Sequence, residues 1–113
     1  MRALLINTNR TVCEIELDNA LEAMQEQVGG RIEAVPLRSG LMTICNEEGK
    51  LEELPPVALI LSPDGSIAYD ALCGPVLVCR TKGSEFADIQ PGDEDRMRRS
   101  LFVLPAVRGV HVC

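Results

Sequence analysis

The sequence predicts an α+β domain: a β-grasp-like mixed sheet of four to six strands, with one main helix packed on it and a second, C-terminal helix. Three observations lead there. Short apolar runs bounded by turn residues recur along the chain, as strands do. Residues 18–30 show helical spacing with both ends marked. A second helical segment, acidic at its start and basic at its end, follows at about residues 93–102.

Residues 2–7, RALLIN, form a short apolar run suited to a buried strand. After the turn-forming TNRT, residues 12–17 alternate: Cys13, Ile15 and Leu17 share one face, while Val12, Glu14 and Glu16 share the other. The two segments predict a hairpin. In the first helix, Asn19 can cap and Glu22 can reach back to it, as in a capping box. Leu21, Met24 and Val28 fall on one stripe, and Gly29-Gly30 ends the helix.

RIEAVPL and LMTICN then predict two strands around the turn RSG, with Pro36 placing the first at an edge. NEEGK is a turn by composition, with Asn46 as its side-chain hydrogen-bonder and Gly49 at positive φ. Pro55 and Pro56 lead the chain out of the sheet. VALILS fits either a strand or one helical turn. Pro63 to Gly65, PDG, is another turn, and Gly74-Pro75 breaks two apolar segments. GPVLVC is apolar on both faces, which predicts the central strand. In the second helix, Asp93 or Asp95 starts the element, Arg98 and Arg99 lie at its negative end, and Met97, Leu101 and Ser100 face the core. An apolar, β-prone tail occupies residues 103–113.

A chain of 113 residues fits a single domain, here taken as residues 1–113. Its aromatics are only Phe86, Phe102 and Tyr69, so the core must be aliphatic. The formal net charge of −6 argues against nucleic acid as a partner, because phosphate binding needs clustered Lys and Arg. The acid excess lies within residues 1–60. No run is long and apolar enough to predict a membrane span, and the N-terminus lacks a signal-peptide pattern, so the expected location is cytoplasmic. Five cysteines without a close pair (Cys13, Cys45, Cys73, Cys79, Cys113) suit free, mostly buried thiols in a reducing compartment.

Residues 45–56, CNEEGKLEELPP, concentrate the most chemistry in the chain. The acids stand too close together for the alternating ligands of a calcium loop, and Cys45 alone does not make a zinc site. A turn is the plainer reading. Any function there would be a surface loop offering Asn46, Glu47, Glu48 and Lys50 to a partner. His111 is the only histidine, so Cys–His chemistry would need Cys113 or a distant thiol brought close by folding. VGGR follows a helix rather than preceding one and is no phosphate loop. Tyr69-Asp70 is open to a reading as a polar handle beside a sheet edge, but such a Tyr more often packs its ring and hydrogen-bonds its hydroxyl; RMRR reads as the solvated end of a helix, neutralised by its own acids.

ALLI, ALEAMQEQVGGRIEAVPL, CNEEGKLEELPP and YDALCGPVLVC occur in that order. Together they resemble the domain-of-unknown-function 3846 family, over roughly residues 1–82 and more weakly over the second helix. Val57 after the double proline, Pro75-Val76 after Gly74, and the tail depart from that pattern. The resemblance implies a small protein of phages or mobile elements, without an assigned activity. Resemblance and residues lead to one expectation: a non-enzymatic accessory protein, without cofactor, metal or catalytic residues, whose sheet edge or acidic loop binds an unknown protein partner. Two alternatives stand beside it. One is a small-metabolite or nucleotide binder with a site at a dimer interface, formed through the tail or an edge strand. The other is a Cys–His enzyme.

Overall fold

The computed structural model describes residues 1–62, 64 and 68–106. Nine strands and two helices are seen among them, in the order β1 (Arg2–Ile6), β2 (Val12–Glu16), α1 (Leu21–Val28), β3 (Ile32–Pro36), β4 (Leu41–Asn46), β5 (Pro56–Leu61), β6 (Ala68–Cys73), β7 (Val76–Lys82), β8 (Glu85–Ala87), α2 (Asp93–Ser100) and β9 (Leu101–Val103). The α+β class stands, with a six-stranded main sheet and two helices. Its order is β2-β1-β7-β4-β3, with β8 added to the far end of β7. A second sheet, β6-β5-β9, was not anticipated. Every pairing among the described residues is antiparallel, where the β-grasp plan expected a mixed sheet: the hairpins β1-β2, β3-β4, β5-β6 and β7-β8 are joined through strands that are not consecutive in sequence.

Strand β7 is central, as its two-sided apolar pattern predicts, with β1 on one side and β4 on the other. Val76 and Val78 point into a core between the two sheets, with Leu4, Ile6, Leu41, Val57, Ile60, Leu72, Met97 and Leu101. Leu77 and Cys79 point the other way, into a second cluster with Ala3, Ile44, and Met24 and Val28 of α1. The molecule is thus layered: α1, main sheet, then the small sheet with α2. VALILS is a strand because Val57, Ala58 and Ile60 are buried in the inter-sheet core. A register shift between Pro56 and Ala58 lets both Val57 and Ala58 turn inward. Pro36 lies in β3, at the edge of the main sheet.

The capping box predicted for α1 does not form. Ala20 holds the cap position without a side-chain bond, and Asn19 instead donates from Nδ2 to the carbonyl of Phe86 at 2.9 Å. A distant carbonyl thus holds the Asn19 amide group away from the helix amides it would have capped. Leu21 is exposed although it shares the predicted stripe, because α1 is only two turns long and packs through Met24 and Val28. Gly29 ends the helix in the left-handed conformation, as expected. Residues 63 and 65 of the expected turn and the tail beyond residue 106, with His111 and Cys113, lie outside the described residues.

Helix α2 begins at Asp93, but this residue does more than start it. Its side chain is completely buried and accepts from Arg80 Nε and Nη2, both at 2.7 Å, from Arg96 Nη1 at 2.9 Å and from the Gln90 amide at 2.7 Å. The two Arg80 bonds are a bidentate clamp that ties α2 to β7. Burial pushes the Asp93 carboxyl up, but the bonds from Arg80, the Gln90 amide and Arg96 outweigh it and hold the carboxyl at about 2. Met97 and Ser100 face the core, and Arg98 pairs with Glu94 one turn back.

A depressed native pKa means that the unfolded chain binds the extra proton as pH falls. The Asp93 contribution is therefore complete above the ordinary carboxylate value of 3.8 and is lost as pH drops toward about 2. Asp93→Asn should destabilise the protein at neutral pH by about 2–3 kcal/mol. Urea unfolding from pH 7 to pH 2 should show the parent losing its advantage over the variant across that acid window. A constant difference down to pH 2 would contradict this assignment.

Candidate functional site

The site grows from the turn that follows β4. Asn46 closes that strand, and its side chain works inward. Nδ2 donates to the Val28 carbonyl at the end of α1, at 3.3 Å, and Oδ1 accepts from the Glu48 amide at 2.8 Å. The predicted side-chain bond of the turn is therefore present, but Asn46 is only 6 % exposed and is no surface ligand. It locks α1 to the turn instead. Gly30 allows this approach, since a Cβ there would lie 2.9 Å from Asn46 Nδ2.

Residues 47–53 then coil through one helix-like turn. Glu52 donates to Glu48, Glu53 to Lys50, and Leu54 to Gly49. The last two bonds have Schellman spacing, which requires a left-handed residue, and Glu53 supplies it at φ 56°. Gly49 was expected in that conformation but is needed for a different reason. A Cβ on it would sit 2.8 Å from the Cys73 carbonyl oxygen of β6. The turn thus packs backbone to backbone against β6.

Beside this contact lies a cleft of about 380 Å³. Glu33 of β3, Cys45 and Asn46 of β4, turn residues 47 and 49–51, and residues 70–73 of β6 line it. Of the four residues singled out in the sequence, Glu47 and Lys50 reach both the surface and the cleft, Glu48 is exposed but does not line it, and Asn46 lines it from a buried position. The Lys50 ammonium binds Asp70 Oδ1 across the cleft. That bond raises the Lys50 pKa, and the same bond lowers that of Asp70. Glu47 also pairs with Arg31 at 3.3 Å. Leu51 stands at the rim, 85 % exposed.

Glu33, Leu51, Asp70 and Cys73 had not been assigned to this turn. Glu33, Asp70 and Cys73 lie on strands distant in sequence and meet it only through pairing and sheet packing. Leu51 carries a local signal, an apolar side chain amid five charged ones. Cys45 and Cys79 are buried, and Cys45 Sγ contacts the Glu33 carbonyl at 3.6 Å. Burial, with the charge of Glu33 second, raises the Cys45 thiol to about 11, and burial alone raises Cys79 to about 11. Among the described residues no three His, Cys, Asp or Glu side chains gather as metal ligands.

A family model described as Domain of unknown function (DUF3846) matches residues 1–101, which take in both helices and reach the start of β9. No curated protein and no solved structure matches the chain.

Two outcomes follow from this geometry. Glu53→Gly should stabilise the protein by about 0.5–1 kcal/mol in urea melts, because glycine takes the left-handed conformation without the Cβ clash. Destabilisation would show that the Glu53 side chain carries structure. At pH 8, native Cys45 and Cys79 should react with iodoacetamide roughly a hundredfold more slowly than in the urea-unfolded chain, since few of their thiols are ionised. Timed alkylation with peptide mass mapping measures this, and equal rates would refute it.

Proposed function

Since the chain belongs to the DUF3846 family, whose description names no activity, we propose from its geometry that it acts by binding a protein partner, and that the cleft beside the 47–51 turn receives a basic side chain of that partner. One observation carries the reading. Glu33, Glu47 and Asp70 surround the cleft against the single ammonium of Lys50. Such a lining favours a cation over an anion. Leu51 at the rim adds apolar surface beside the charged groups.

In this reading the protein is an accessory factor of a phage or mobile element and works in the cytoplasm, where its thiols stay reduced. No helix among the described residues is long and apolar enough to cross a membrane. The cleft volume also falls within the roughly 300–1,000 Å³ of small-ligand sites, which favours a small cationic metabolite as a second reading. A nucleotide fits poorly, because its phosphates would face three carboxylates.

The probe is the capped pentapeptide acetyl-Val-Arg-Val-Arg-Val-amide, titrated into isotope-labelled protein and followed by NMR. Amide shifts should concentrate at residues 46–51 and 70–73 and weaken as salt rises. Glu33→Gln with Glu47→Gln should reduce affinity about threefold to tenfold. The same peptide with glutamate for arginine should leave the spectrum unchanged. Equal binding of the acidic peptide, or shifts elsewhere on the fold, would overturn the proposal. Free arginine binding as tightly as the peptide would move it to the metabolite.

A further inference from the structure

Residues 70, 71, 72 and 73 all line the cleft. A strand that presented a face would contribute only alternate residues, because successive side chains point to opposite sides. The cleft therefore borders the backbone edge of β6. Leu72 shows the same thing, since its side chain is buried in the inter-sheet core although the residue lines the cleft. Among the described residues β6 pairs only with β5, so this edge is open.

The direction of the edge groups can be read directly. The Ala71 amide donates to Asp70 Oδ1 at 2.8 Å rather than to a neighbouring strand. The Cys73 carbonyl faces Gly49 on the turn. Residues 71 and 73 have the same parity, so their backbone groups leave β6 on the same side. The turn backs onto that side at Cys73, and at Ala71 a carboxylate occupies the place a strand partner would take. Lys50 donates to the same Oδ1 of that carboxylate.

We infer that the partner segment binds by strand addition: it lies extended along the open edge of β6, takes the Ala71 amide from Asp70, and leaves the Asp70 carboxylate for its own basic side chain. This deepens the proposed function and rests on it. Main-chain bonds would give the affinity, and the acidic lining would select the side chain. The Asp70 side chain, in the free protein, shields an edge that would otherwise invite unwanted pairing.

The test uses two N-methylated forms of the same pentapeptide, one methylated at the arginine amides and the other at the central valine amide. In an extended strand, amides alternate between the two edges, so only one set faces β6. One form should bind about tenfold more weakly than the parent peptide and the other nearly as well. Equal affinities for all three, or equal losses for both methylated forms, would overturn strand addition while leaving side-chain capture in place. Failure of the parent peptide to bind would remove both proposals. As a second measurement, Asp70→Ala should speed hydrogen exchange at the Ala71 amide about tenfold in the free protein, and saturating peptide should restore its protection. An Ala71 amide that stays unprotected at saturation would also overturn the inference.

Discussion

Strand β7 carries four consecutive residues, Val76, Leu77, Val78 and Cys79, with no exposed surface. A strand dry on both faces needs a cover on each side, and the layers of this molecule meet that need. Val76 and Val78 require the small sheet and Met97 of α2, while Leu77 and Cys79 require α1. Each buried aliphatic side chain of this size contributes about 1.5–3 kcal/mol by leaving water. That gain is available only if both covers are in place. The hairpin partners follow: β1 and β4 flank β7 and carry residues of alternating parity into both clusters.

The covers are held by polar contacts at their ends rather than by long apolar faces, because both helices are short. Each has eight residues, little more than two turns, and would not persist alone. Asn46 bonds the last carbonyl of α1, and Arg80 clamps Asp93 at the start of α2. Both anchors spring from the two strands that meet at the centre of the main sheet, β4 and β7. The same pair of strands that organises the core thus fixes where each helix begins or ends. Asn46 has a second consequence, since by holding the first residues of the turn it sets the wall of the cleft.

What could be read in the sequence was local, and what could not was long-range. The apolar pattern of GPVLVC, the proline in β3 and the diglycine after α1 each act within their own element, so their effects were legible. The Asn19 cap failed because Phe86, 67 residues away, offers its carbonyl. The role of Asp93 was half legible. Its place at a helix start follows from composition, but its burial depends on Arg80 of another element. The small sheet had no separate signature, since β5 and β6 look like any other apolar strands until their partners are known. The turn was recognised, yet its left-handed residue was placed at Gly49 on intrinsic preference. Tertiary packing instead reserves Gly49 for the approach of β6 and places Glu53 in the strained conformation.

The cleft follows from the same division between local and long-range order. The two sheets share a core but are distinct hydrogen-bonded systems, so each ends in edges of its own. At the end of β4 the turn leans against β6 through Gly49 and Cys73 without forming a ladder. A closed ladder would have removed both cleft and edge. Instead, Asp70 satisfies the Ala71 amide from its own strand, and Lys50 neutralises Asp70 from the turn. Both are exposed, replaceable contacts, and exposed ion pairs contribute little to stability. An edge occupied by contacts of that kind can exchange them for a partner without disturbing the core beneath it.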